Sequence, residues 1–167
     1  MKAVFKLFWH ICLMRQSPEY VPTYPWFVSL VIATNVIASI ALSVTLGGTD
    51  AVLTAATSII VSQSVTAVLV WLACTLREVP QRFTSAITAI FGCDLIVTAI
   101  FAVTLPITQL LNPALNAYTY LGFVLWSMWV VGFILKSVLN VHLALAIIIA
   151  FATVLLSTSV SQIAVGA

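Results

Sequence analysis

Five apolar runs, each about long enough to cross a lipid bilayer, constrain this chain more than any other feature of its sequence. They cover about 26–46, 51–75, 83–105, 118–135 and 142–161. A spanning helix needs about 20 mostly apolar residues, because the hydrocarbon layer is about 30 Å thick and each residue advances about 1.5 Å. Hydrophobicity is continuous along each run instead of alternating residue by residue, as a lipid-facing barrel strand would require. Without water in the hydrocarbon, every backbone amide must find its partner inside its own segment, and a helix supplies that partner. The expected fold is an all-α membrane protein with a five-helix transmembrane bundle over 26–161.

Composition agrees with that reading. The 167 residues are 63% hydrophobic and 6% charged, whereas a soluble domain carries about a quarter charged residues. The chain lacks the polar material to coat a water-facing globule. An ordinary cytosolic enzyme, a nucleic-acid-binding module and a disordered segment are thereby excluded, and the lipid bilayer becomes the first expected partner.

The sequence also punctuates the runs. Gly47, Gly48, Thr49 and Asp50 close the first, Arg77 to Arg82 separate the second from the third, and Pro106 is expected to end the third. A polar connection holding Asn112 and Pro113 leads to the fourth, which ends at Lys136. All six basic residues (Lys2, Lys6, Arg15, Arg77, Arg82 and Lys136) fall on one side when the spans number five. Four or six spans would divide them. The excess of Lys and Arg marks the cytoplasmic side, so the N-terminus is expected in the cytoplasm and the C-terminus, with a short tail over 162–167, outside. Short loops and the absence of a targeting extension point to a bacterial inner membrane.

Residues 1–16 read as an amphipathic helix lying in the membrane interface. Lys2, Lys6 and His10 share one stripe, and Val4, Phe5, Leu7, Phe8, Ile11 and Cys12 spread over the other face. Such a helix places its basic stripe near lipid phosphates. A cleaved signal peptide is the competing reading, weakened by Lys6, Trp9 and His10 within the apolar stretch and by the lack of a small-residue cleavage site before Pro18. Residues 17–25 form a Pro-rich linker, with Pro18, Pro22 and Pro25, that cannot be helical throughout. Lys2, Lys6, Trp9, Trp26 and Lys136 are the expected interfacial anchors, and Tyr20 and Tyr24 suit the same belt.

Asp94 is the carboxylate at the centre of the third run. A charge at that depth costs about 2.5–3.5 kcal/mol on insertion scales, so the group must face the bundle interior, find hydrogen-bond partners or stay protonated. Each other span offers a polar side chain at a similar depth: Asn35, Gln63 between Ser62 and Ser64, Ser127 between Trp126 and Trp129, and Thr153. Facing inward, they would form a polar layer around Asp94. That layer is either interhelical glue, at about 0.6 kcal/mol per hydrogen bond, or a proton, ion or solute site.

Ser85, Ala86, Ala89 and Gly92 give the third span a small-residue surface suited to close helix approach, though no GxxxG is present. Gly122 and Gly132 are expected to permit packing or a bend. Cys12, Cys74 and Cys93 are isolated, which suggests packed thiols rather than a disulfide framework. His10 and His142 lack acidic or Cys neighbours at ligand spacing, so no metal site or cofactor is expected. There is no phosphate loop, HExxH or GxSxG, and no residue argues for an enzyme.

Two stretches carry a family resemblance. RFTSAITAIFGCDLIVTAIFAVTLP (82–106) runs from a basic loop into a small-residue helix with a central glycine and a closing proline. LWSMWVVGFILKSVLNVHLALAIIIAF (125–151) has Trp before a short basic turn into the last helix. With five spans and short loops, these resemble the Yip1-domain group of small membrane proteins, notably its compact bacterial members. The resemblance implies a membrane-embedded scaffolding, trafficking or assembly factor with protein partners and no catalytic residues. The long hydrophilic N-terminal region of eukaryotic members has no counterpart here.

The expectation from sequence is therefore a non-enzymatic integral membrane protein acting through helix contacts as an accessory, scaffolding or assembly subunit. Other membrane proteins or a second copy of the chain would be its partners. The alternative is a small permease or ion- or proton-coupled carrier built on the polar layer around Asp94.

Overall fold

Long apolar segments in hydrocarbon leave the backbone one economical solution, and the chain adopts it throughout. The computed structural model describes residues 2–47, 52–111 and 113–166, and among these there are helices and turns but no strand. Helix α1 covers Lys2–Cys12, α2 Pro25–Gly47, α3 Val52–Leu76, α4 Phe83–Leu111, α5 Pro113–Leu139 and α6 Leu143–Val165. Single 3-10 turns occupy Pro18–Tyr20 and Pro80–Arg82. Helices α2 to α6 are each long and apolar enough to cross a membrane, so the chain is an all-α integral membrane protein with five candidate spans. Gly48, Thr49, Asp50 and Asn112, read from sequence as connection residues, lie outside the described residues.

Proline positions explain several boundaries. Pro25 and Pro113 stand first in their helices, where a missing N–H costs nothing because that donor has no intrahelical acceptor. Pro18 opens the 3-10 turn in the linker, and the Ser17 hydroxyl caps it by accepting from the Glu19 amide at 3.4 Å. Pro106 corrects an expectation. It does not end the third span at 105 but sits inside α4, which continues to Leu111. Proline deletes one hydrogen bond, and in hydrocarbon the remaining ones cannot be exchanged for bonds to water, so continuing the helix costs less than ending it there. The fourth span likewise begins at Pro113 rather than 118 and runs to Leu139, past Lys136. The last helix reaches Val165 and absorbs most of the tail expected over 162–167.

The five long helices form a ring in which α4 packs on α2 and α5, α5 on α6, α6 on α3, and α3 more sparsely on α2. Small side chains set the close approaches. Ser85, Ala86, Ala89 and Gly92 on α4 are all buried. A Cβ at Gly132 would come within 2.9 Å of Ile147 Cγ1, so glycine is what lets α5 meet α6 there. Nothing lies within 4 Å of a Cβ built at Gly122. A buried stripe on α6, Ala146, Ala150, Thr153, Ser157 and Ser161, recurs at three- and four-residue spacing and so lies on one side of the helix.

Helix α1 lays one side against the bundle. Phe8, Ile11 and Cys12 are buried against the bundle, with Val4 and Leu7 partly buried beside them. Phe5, Lys6, Trp9 and Leu13 face outward, so Phe5 leaves the apolar face expected for it. Phe8 stacks on Phe27 at a centroid distance of 6.4 Å. Its ring fills the space that Gly92 leaves open, since a Cβ there would overlap Phe8 Cε1.

At the other side of this linker the polar ends of the helices are tied together. Arg82 Nη1 pairs with Glu19 at 2.9 Å and donates to the Ser137 carbonyl at 3.3 Å. Arg77 donates to the Leu139 carbonyl at 3.5 Å, and the Ser17 and Ser137 hydroxyls meet at 3.0 Å. Arg77, Arg82 and the exposed Lys136 thus gather at one end of the bundle, beside the linker.

Candidate functional site

Asn35, Gln63 and Asp94 stand near the midpoints of α2, α3 and α4, and the fold brings them together. The Asn35 amide donates from Nδ2 to Asp94 Oδ2 at 2.9 Å and to the Phe91 carbonyl at 3.1 Å. Gln63 Nε2 donates to Asn35 Oδ1. The result is one directed chain, Gln63 to Asn35 to Asp94, that ties three helices at mid-depth. Asn35 is its hub and is wholly buried, whereas Gln63 and Asp94 are each half-buried.

The Phe91 carbonyl fixes the direction of this chain. A backbone carbonyl can only accept, so the Asn35 nitrogen must face α4 and its oxygen must face α3. Gln63 is then obliged to present its nitrogen to Asn35, and its own oxygen points away. Gln63 Oε1 is buried with no hydrogen-bond partner among the described residues. In a low-dielectric interior an unmet acceptor costs about 1–3 kcal/mol.

Two cavities flank the chain. One of about 610 Å³ lies between α2, α3 and α4 on the side of the basic end, walled by Ile32, Val36, Gln63, Ala67, Ile87 and Phe91. The second, about 470 Å³, lies along the opposite half of the α2–α4 seam, between Ala38, Ala41 and Thr45 on α2 and Thr98, Ala102 and Pro106 on α4. Ala38 and Thr98 each stand about one turn beyond Asn35 and Asp94, so the hydrogen-bonded pair lies between the two openings.

The other two members of the expected polar layer do not join it. The Ser127 hydroxyl donates to the Val124 carbonyl at 2.9 Å, and Thr153 to Ile149 at 2.8 Å. Each satisfies its donor on its own helix, a local option that hydroxyls have and amides at helix centres lack. Of the expected anchors, Lys6, Trp26 and Lys136 are exposed and Trp9 sits at the outer face of α1. Lys2 begins α1, and its side chain lies outside the described residues.

A second contact was not anticipated from sequence. Cys12 Sγ approaches the Cys93 carbonyl at 3.8 Å, and Cys93 Sγ approaches the Phe8 carbonyl at 3.8 Å, a reciprocal pair that seats α1 on α4. Trp126 Nε1 donates to the Cys12 carbonyl at 3.3 Å and joins α5 to the same place. All three cysteines are buried and free. Among the described residues no group of three or more His, Cys, Asp or Glu side chains could hold a metal ion.

Comparison with models of protein families, with curated proteins and with solved structures finds no match to this chain.

Proposed function

We propose that the chain is a non-enzymatic membrane protein that acts as an accessory or assembly subunit through contacts of its helices. One observation carries this reading. The α2–α3 seam is the most loosely closed part of the ring, and the 610 Å³ groove beside it is walled mainly by apolar side chains, with Gln63 and Ser64 among its lining residues. A transmembrane helix from another protein fits such a groove, because small and hydroxyl side chains permit close approach and interhelical hydrogen bonds. The resemblance to the Yip1-domain group supports the same role. So does the gathering of basic residues at one end, which favours a cytoplasmic N-terminus, an external C-terminus and an interfacial position for α1 in a bacterial inner membrane.

Purification in a mild detergent tests the reading. The native chain should carry a membrane protein at fixed stoichiometry, and Ser64→Trp, which fills the groove from its exposed rim, should release it while leaving the fold intact. A chain that runs alone before and after in-membrane cross-linking would overturn the proposal.

A second reading, a small ion- or proton-coupled carrier, is favoured by the Asn35–Asp94 pair lying between two cavities. Flux into liposomes that is lost in Asp94→Asn would support it. Equal flux in the variant would remove it.

A further inference from the structure

We propose that Asp94, held by the Asn35 amide at mid-depth between α2 and α4, is a reversible proton-binding site. The inference stands apart from the assembly reading, while the carrier reading would depend on it.

Among the described residues the Asp94 carboxyl group receives one neutral donor, the Asn35 amide. Among the described residues the ion pair is made elsewhere, between Arg82 and Glu19. An ionised carboxylate with a single neutral donor and no counter-charge is costly at membrane depth, so a cation must be available to it from outside the chain.

The surrounding oxygens decide which cation. A metal ion of the alkali or alkaline-earth type needs about six oxygen ligands. Here the Phe91 carbonyl is engaged by Asn35, and Asn35 Oδ1 is engaged by Gln63. Among the described residues Gln63 Oε1 is the buried side-chain oxygen left without a donor, and one such ligand beside the carboxyl group falls well short of that shell. A proton needs no coordination shell, and it fits where a metal ion would have to dismantle the chain.

The titratable surroundings are sparse. Helix α2 has no ionisable side chain, and α3 contributes Cys74, buried nearly three turns from Gln63 toward the Arg77 end. Helix α5 contributes Lys136 at its far end and Tyr118 and Tyr120 near its start. On α4 itself Cys93 adjoins Asp94, and Cys12 of α1 packs against Cys93. Lys6 and His10 of α1 lie beyond that contact, with His10 donating to the Lys6 carbonyl at 2.6 Å. None of these contacts the carboxyl group in place of a proton.

The sequence permits a direct test without altering the site. Asp50 and Asp94 are the only aspartates in the chain. In the full-length Asp50→Asn protein, labelled with 13C at the aspartate side-chain carboxyl and held in nanodiscs, every labelled side-chain signal comes from Asp94. The signal should move between the protonated and ionised positions as pH is raised, and the change should reverse on lowering pH. It should be unaffected when sodium is replaced by choline at fixed pH. A signal that stays at either extreme across the pH range in which the protein remains folded would overturn the proposal, as would a signal that follows sodium rather than pH. Liposome flux, measured separately, distinguishes the two ideas: a titrating Asp94 without flux leaves the proton site and removes the carrier.

Discussion

Helices α3 and α4 are nearly indistinguishable by hydropathy and very different in the fold. Their most apolar stretches have mean hydropathy 2.0 and 2.2, yet 11% of the first and 56% of the second are buried within the protein. Hydropathy reports only that a segment prefers lipid to water. Which segment becomes the most enclosed is decided by side-chain size, because helices associate in lipid through close packing rather than through expulsion of water. Helix α4 presents Ser85, Ala86, Ala89 and Gly92 in succession to its neighbours, and α1, α2 and α5 all pack on it. The outward face of α3 carries Leu53, Ile60, Val68, Trp71 and Leu76, which suit lipid.

The mid-depth chain is where these two helices are coupled, through Asn35 of α2. Asn35→Leu therefore carries the largest expected effect. It removes three hydrogen bonds, at about 0.6 to 1.7 kcal/mol each in membrane proteins, or roughly 2–5 kcal/mol in all. Gln63→Leu removes one of those bonds and exchanges the unpaired Gln63 acceptor for an unpaired Asn35 Oδ1, so its cost should stay near the single bond, about 0.6 kcal/mol. Equilibrium unfolding in mixed micelles should separate the two variants clearly. Equal costs would mean that Asn35 is not the hub.

Gly92→Leu comes next, and it probes the crowded side of α4. The added side chain must displace the Phe8 ring, and overpacking of this kind costs about 1–3 kcal/mol. Because Phe8 and Cys12 hold α1 on α4 together, the release of α1 should expose Cys12. Maleimide labelling of Cys12 in the folded protein should become markedly faster than in the native chain, with Cys74 as the internal reference. Unchanged labelling would show that α1 is held by other contacts.

These two sites differ in how far the sequence announced them. Asp94, Asn35 and Gln63 were legible because an ionisable or amide group in an apolar run has few options other than a partner at the same depth. Ser127 and Thr153 looked equivalent by depth, but a hydroxyl can bond the preceding turn of its own helix, and position alone does not reveal that choice. Gly92 was legible as a small residue, while the Phe8 ring that fills its space depends on a chain reversal through residues 13–24. Pro106 misled because the usual helix-breaking argument assumes water to receive the freed carbonyl.

The polar ends of the two helices should respond weakly. Glu19 and Arg82 pair with side chains 50% and 40% exposed, and such pairs contribute about 0–1 kcal/mol. Glu19→Ala should cost no more than that, and its effect should fade at high salt. Arg82→Ala should cost slightly more because its bond to the Ser137 carbonyl is lost as well. Unfolding measured at low and high ionic strength checks both. A salt-insensitive loss in Glu19→Ala would mean that the linker acts through packing rather than charge.

The smallest effect is expected on the outward face of α3, and there a null result carries information. Val68 is 60% exposed, which in a bilayer means contact with acyl chains. Val68→Leu exchanges one lipid-facing aliphatic side chain for another, and a surface change of that kind falls within about 0.5 kcal/mol. The matched change on α4, Ala89→Leu at a wholly buried position, adds volume to a closed contact and should cost about 1–3 kcal/mol. The pair isolates side-chain volume from hydropathy, since both substitutions make their helix more apolar. If Ala89→Leu were as silent as Val68→Leu, close packing would not be what encloses α4. If Val68→Leu weakened association with another membrane protein while leaving unfolding unchanged, the exposed face of α3 would be a contact surface rather than a lipid-facing one.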